Sequence, residues 1–330
     1  MVRVAVVGLG WWGRIIVQLL KGSTQLRAIK AVDPSPLAAP FAREQGLPLV
    51  PDLNGALSDP DVDAVVLCTP HSLHTEQIVA AANAGKHVFC EKPLSLSREA
   101  VLRAVEAVRA KGRVLGVGHE KRFEPPLMEV VRLAQCGALG NLLQIEANFS
   151  QDKFLTLTAD NWRLSTREAP AGPLTATGIH LVDLSVALMG PAERVCASVK
   201  QLGSQLANGD TLAILASFKG GGHALISAIL ATPFDGRVAV YGSKGWAEVR
   251  DKAHPEAPQG WTLTTALRGE PKRSVDYPPA PAVLANLEAF AAAIEGRATY
   301  PVPHEQMIAT VSALEAIVKS TRSGAVESVS

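Results

Sequence analysis

Cysteine is scarce and scattered. The four in this chain of 330 residues, Cys68, Cys90, Cys136 and Cys196, form no CxxC pair. That spacing argues against a disulfide framework or a zinc site and suits a reducing compartment, so a cytoplasmic location and no resident metal are expected. A dominant charge sign is lacking too, with 32 Lys and Arg against 31 Asp and Glu, a net of +1. No long-range field gathers nucleic acid or an anionic membrane, and any polyanionic partner must be small and locally bound. No interior run reaches the roughly 20 apolar residues that span a bilayer. The most apolar opening, residues 4–20, is broken by Arg14 and three glycines. It lacks a basic leading region beyond Arg3 and a small-residue cleavage site, so it reads as mature protein and not as a signal peptide. Aromatic residues make up only 5%, yet 47% hydrophobic and 19% charged residues exclude disorder for the bulk of the chain. The length suits about two domains.

Short apolar runs alternate with helix-length segments as far as residue 121. The runs, 2–7, 26–32, 64–68, 87–90 and 114–117, are Val-rich with little polar alternation, as in a parallel sheet covered on both faces. Ser97 reads as a helix cap, and Gly22, Gly46, Gly85 and Gly112 sit where helix stops belong. Residues 1–121 are therefore expected to form a doubly wound α/β domain. From 122 to 330 the pattern changes to an α+β domain. Stretches 142–150, 194–202, 211–218, 223–230, 238–241 and 246–249 follow one another through Gly-bearing turns, which favours antiparallel pairing. Helices are expected near 125–135, 174–189, 284–294 and 305–320. Residues 252–282 read as a surface excursion with one short strand near 261–265.

The first strand runs directly into Gly8-Leu9-Gly10-Trp11-Trp12-Gly13 and then a helix. In such a turn Gly8 permits the tight bend, Gly10 lets a pyrophosphate approach the backbone, and Gly13 lets the helix lie close to the sheet. Twenty residues beyond Gly13 stands Asp33, where a carboxylate can accept both hydroxyls of an adenosine ribose. The bland alternative is a tight turn with a capping Asp. The Asp33 charge and the lack of Arg in Pro34-Ser35-Pro36 favour NAD over NADP. Trp11 and Trp12 either cover the sheet edge or touch cofactor or substrate. Thr69-Pro70-His71-Ser72-Leu73-His74 and Glu91-Lys92-Pro93 stand at the carboxyl ends of two further strands, where ligands bind in parallel sheets. Taken alone, Lys92 could equally be a surface charge.

The glycine fingerprint, TPxxxH, EKP and Gly178-Ile179-His180-Leu181-Val182-Asp183, in this order, resemble the Gfo/Idh/MocA oxidoreductase family over nearly the whole chain. The resemblance implies a Rossmann domain and an α+β domain with an open, mainly antiparallel sheet that often makes an oligomer interface. It implies a small polar substrate and a homo-oligomer. Gly8, Gly10, Trp11, Trp12, Gly13, Asp33, Thr69, Pro70, His74, Glu91 and Lys92 would form the cofactor face. Lys92 would lie beside nicotinamide and the substrate hydroxyl, followed by a cis peptide to Pro93. Trp162, Arg163 and Asp183 would face substrate, and Lys121-Arg122-Phe123 resembles the basic pair where the family's two domains meet. Family members usually carry Asp four residues before the helix histidine, and this chain carries Ala176. If positions 176, 180 and 183 share one helical face, Asp183 is left to orient His180.

Two functions follow. One is an NAD(H)-dependent dehydrogenase or reductase for a sugar, cyclitol or related hydroxy acid or cyclic diol, with Lys92 and His180 moving the proton. The other, prompted by Ala176, is a dinucleotide-binding sensor or assembly protein without turnover. Retention of both Lys92 and His180 favours the enzyme.

Overall fold

The computed structural model describes residues 1–330. Six parallel strands, β1 (Val2–Val7), β2 (Leu26–Val32), β3 (Leu49–Val50), β4 (Ala64–Leu67), β5 (His87–Cys90) and β6 (Leu115–Val117), form a sheet of order β3-β2-β1-β4-β5-β6. Every residue of β4 is buried, and so is nearly all of β1, which is why these strands read as unbroken apolar runs. Helices α1 (Trp11–Leu20), α2 (Ala39–Glu44), α3 (Asn54–Leu57), α4 (His74–Asn83) and α5 (Arg98–Ala110) make the connections. The Ser97 side chain caps α5 by accepting from Ala100 N–H.

The second sheet has nine strands: β7 (Leu142–Ser150), β8 (Ala192–Lys200), β9 (Thr211–Phe218), β10 (His223–Ile229), β11 (Asp235–Gly242), β12 (Gly245–Asp251), β13 (Trp261–Leu267), β14 (Arg273–Tyr277) and β15 (Glu327–Ser328). Their order is β14-β13-β12-β11-β7-β10-β9-β8-β15, and all pairs are antiparallel except β7 with β10. Helices α6 (Pro125–Gln135) and α7 (Ile179–Met189) accompany this sheet, and the chain then forms α8 (Ala282–Ile294) and α9 (His304–Ser323) before β15. One face of the sheet alternates Leu212, Ile214, Ala216 with Ala224, Ile226, Ala228 inward, and α7 lies against β7 and β10.

The compact units are Met1–His119 with Val283–Ile308, and Glu120–Ala282 with Ala309–Ser330, which differs from the continuous cut at 121/122 expected from sequence. The return of 283–308 has a clear physical basis. Phe290, fully buried, meets Phe89 edge-on at 5.6 Å across Gly116, where a Cβ would stand 2.7 Å from the Phe89 ring. The free edge at β6 is closed as well. Val117 N–H donates to the Tyr300 hydroxyl at 3.1 Å, and Asn286 Nδ2 donates to the Val117 carbonyl at 2.9 Å. The surface excursion expected over 252–282 instead holds two paired strands, β13 and β14. β14 is almost wholly exposed, so it carries no apolar alternation that would announce a strand.

Candidate active site

Gly8 has φ +91°, and a Cβ there would lie 2.8 Å from the Cys68 carbonyl oxygen. At Gly13 the obstruction is absolute, a Cβ 1.8 Å from the Gly8 oxygen. These two glycines build the turn. Gly10 differs: it is exposed, and nothing lies within 4 Å of where its Cβ would be. Gly10 also precedes α1 without a side-chain cap, and the first turn of α1 holds no acid. Open space in front of uncapped N–H groups is the setting a pyrophosphate requires, so the residues fit a dinucleotide.

Asp33 is half-buried and ties this turn to the loop after β2. Its Oδ2 accepts from Leu9 N–H at 2.7 Å and its Oδ1 from Ser35 N–H at 2.8 Å. Each oxygen keeps a second acceptor position for a ribose hydroxyl. The sequence places no Arg after β2, but the fold brings Arg14 there: its Nη2 donates to the Leu37 carbonyl at 3.3 Å and its guanidinium lies 5.1 Å from the Phe41 ring centroid. Trp11 is exposed and meets half-buried Trp12 edge-on at 5.8 Å, and the Trp12 Nε1 is buried without a hydrogen-bond partner.

The β4 and β5 loops are locked together. His74, fully buried, places Nδ1 2.9 Å from the Pro93 carbonyl and Nε2 3.0 Å from the Thr69 carbonyl. It opens α4 pointing inward and shapes the loops that carry Thr69, Pro70 and Lys92. Glu91 is also buried, packed so closely over Gly118 that a Cβ there would be 2.5 Å from its Oε2, which accepts from Lys92 N–H at 3.2 Å. Its carboxylate anchors the Lys92 amide. Lys92 is half-buried and the Lys92–Pro93 peptide is cis, as the resemblance implied. Burial, then Glu91 and Cys68, push the Cys90 thiol well up, so no thiolate competes with Lys92 at this strand end.

In the other unit, a π-turn at Leu174–Gly178 precedes α7, and this extra residue in the turn breaks the simple spacing expected from 176 to 180, while His180 and Asp183 keep theirs within α7. Ala176 packs on the apolar cluster Phe154, Leu206 and Leu230. His180 is buried, its ring centroid 6.1 Å from that of Phe149, and its Nε2 is 3.4 Å from Glu120 Oε1. Asp183 accepts from Arg122 Nε at 2.5 Å and Nη2 at 2.7 Å, and from Thr310 Oγ1 at 3.3 Å. Its carboxylate is engaged in this buried ion pair. Arg163 lies 4.3 Å from the Trp162 ring centroid, and Asn208 Nδ2 holds the Arg163 and Ala169 carbonyls, each at 2.8 Å. Sequence reasoning missed Glu120 and Arg14, because only the fold brings them to His180 and the β2 loop.

Beside Glu120, the Lys121 ammonium is buried between Glu124 (3.2 Å) and Asp251 (3.3 Å) and stands 5.0 Å from the Phe149 centroid. Burial alone would lower Lys121, but Asp251 and Glu124 outweigh it and raise it. Burial pushes Glu124 up from 4.5 to about 8, against the pull of Lys121 and with help from Asp251. The folded protein therefore holds a proton on Glu124 that the unfolded chain releases. Stability should fall as pH rises between about 4.5 and 8, by at most about 1.4 kcal/mol per pH unit. Urea midpoints across that window check this, and Glu124→Gln should flatten the slope.

A parallel sheet in the order 3-2-1-4-5-6 with a glycine turn before an uncapped helix is the architecture of a dinucleotide-binding protein. Residues 2–119 match the oxidoreductase family with an NAD-binding Rossmann fold, and residues 127–248 match the GFO/IDH/MocA C-terminal domain. The myo-inositol 2-dehydrogenase of Thermotoga maritima is 30% identical over 254 residues, 74% of this chain and 73% of that protein. The oxidoreductase YrbE of Bacillus subtilis is 29% identical over 277 residues, 81% and 78% of the two chains. The solved aldose-aldose oxidoreductase of Caulobacter crescentus, complexed with glycerol, is 25% identical, with a TM-score of 0.86 over 99% of each chain. The chain belongs to the Gfo/Idh/MocA family of NAD-binding oxidoreductases.

Proposed function

We propose that this protein is an NAD(H)-dependent dehydrogenase or reductase that acts on a CH–OH or carbonyl carbon of a small polar substrate, a sugar, cyclitol or related hydroxy acid or cyclic diol. The observation that carries the reading is Lys92 at the carboxyl end of β5, in the sheet whose β1–α1 turn leaves open space at Gly10. The names of the inositol dehydrogenase and aldose oxidoreductase relatives support the substrate class. Bound NAD supplies the two-electron hydride acceptor for a carbinol carbon, and NADH the donor for the reverse. Lys92 hydrogen-bonds the substrate oxygen and stabilises the negative charge that grows there as its proton leaves. His180 takes that proton in oxidation and returns it in reduction. Trp162 and Arg163 offer a cation stacked on an indole, suited to an apolar ring face bordered by hydroxyls.

The cofactor is NAD in preference to NADP. The Asp33 carboxylate repels a 2′-phosphate, and the Arg14 guanidinium is tied to the Leu37 carbonyl. Asp33→Ala should weaken NADH binding about tenfold, because ribose acceptors and an anchor of the Leu9 amide are both lost. The discriminating quantity is the ratio of NADH to NADPH affinities, which narrows in this variant. An unchanged ratio in fluorescence titrations removes Asp33 from the ribose site. We further infer a homo-oligomer formed through the outer face of the nine-stranded sheet, where exposed Cys196, Leu215 and Leu225 stand side by side across β8, β9 and β10.

The test of the reading is a panel of cyclitols, aldoses, aldonic acids and cyclic diols with NAD, followed by NADH absorbance. Turnover of at least one member is expected. NAD binding with no turnover of any member supports the sensor instead.

A further inference from the structure

The 3-10 turn Glu120–Phe123 is anchored at two consecutive residues. Lys121 is set between Glu124 and Asp251, and Arg122 forks onto Asp183 of α7. Asp183 lies three residues after His180, one helical turn along α7, and Glu120 lies two residues before Arg122. The Arg122–Asp183 fork thus fixes the alignment in which Glu120 Oε1 stands 3.4 Å from His180 Nε2. Their side chains are only 11% and 2% exposed, so little water screens the pair.

We propose that Glu120 is the positioning residue of His180, supplying from the turn a carboxylate that the π-turn before α7 lacks and that Asp183 of α7 gives to Arg122 instead. This rests on the reading of His180 as the proton carrier. A carboxylate at Nε2 fixes the orientation of the imidazole ring. It also stabilises the imidazolium formed when the ring is protonated. Ala176 has no part in this, since it rests on Phe154, Leu206 and Leu230. The arrangement gives the Arg122–Asp183 pair a purpose as well: it keeps the turn in register with the histidine.

The test is a double-mutant cycle in the full-length enzyme with NAD and myo-inositol, or the fastest member of the panel above. Glu120→Gln should lower kcat about 10- to 100-fold while KM and NADH affinity stay within about threefold, the pattern of a group that acts in the transition state. Glu120→Asp, which keeps the charge, should recover part of the loss. His180→Ala should lose as much as Glu120→Gln or more, and the double variant should fall no further than His180→Ala alone. Without substrate, the ¹⁵N signals of the His180 ring should move in Glu120→Gln. Additive losses, or unmoved His180 signals, overturn the role of Glu120 and leave the enzyme reading intact. No turnover of any panel member, or wild-type turnover in His180→Ala, overturns the reading of His180 and the role of Glu120 with it.

Discussion

Lys92→Ala should reduce turnover by about 10²-fold or more while NADH affinity changes by less than about threefold, because in the mechanism proposed above the ammonium acts on the substrate oxygen and not on the dinucleotide backbone. Backbone contacts hold the loop: the Lys92 N–H donates to Glu91, and the carbonyl of the following Pro93 meets His74. These contacts do not depend on the lysine side chain, so its removal should leave both loops in place. Lys92→Arg should be nearly as impaired, since a planar guanidinium does not reproduce a compact ammonium. Steady-state kinetics beside NADH titration separate the two effects. Wild-type turnover in Lys92→Ala would make Lys92 peripheral.

Lys121→Met should cost about 3–5 kcal/mol of stability near neutral pH, the scale for removing one partner of a buried ion pair. Lys121 is 2% exposed and faces Glu124 and Asp251, themselves at 1% and 3%. Without the ammonium, two carboxyl groups remain in the interior, only one of which also receives a hydrogen bond from Trp261 Nε1, at 3.0 Å to Asp251. The methionine fills the space but brings no charge. Adding Glu124→Gln and Asp251→Asn to Lys121→Met should recover most of the loss, because an apolar and neutral set can match a buried ionic one. Urea unfolding followed by tryptophan fluorescence gives the values. A loss below about 1 kcal/mol would mean that the cluster is solvated.

The sequence shows the first sheet well because its strands are buried on both faces and write themselves as Val-rich runs. The glycine turn was equally readable, since Gly8 and Gly13 have no steric substitute. The cis peptide after Lys92 was legible only through family resemblance. Other features were invisible for definite reasons. β14 is exposed along its length and shows no period. Val283–Ile308 joins the first unit through Phe290 and Tyr300, whose partners lie far upstream. The π-turn at Leu174–Gly178 undid the spacing argument for Ala176, while that between His180 and Asp183 holds within α7. Glu120 meets His180 across 60 positions, and no local pattern records such a pair. The contacts by which His74 and Glu91 hold the strand-end loops were unreadable too, because their partners are backbone groups.

In the proposed reaction hydrogen passes from a carbinol carbon of the substrate to nicotinamide. The most direct test is to incubate the enzyme with NAD and panel substrates deuterated at their carbinol carbons, then examine the recovered NADH by NMR. The account predicts deuterium at the nicotinamide C4 position, on one face only, for at least one cyclitol or sugar, and its loss in Lys92→Ala. Saturable NAD binding with no deuterium transferred from any labelled substrate would contradict it.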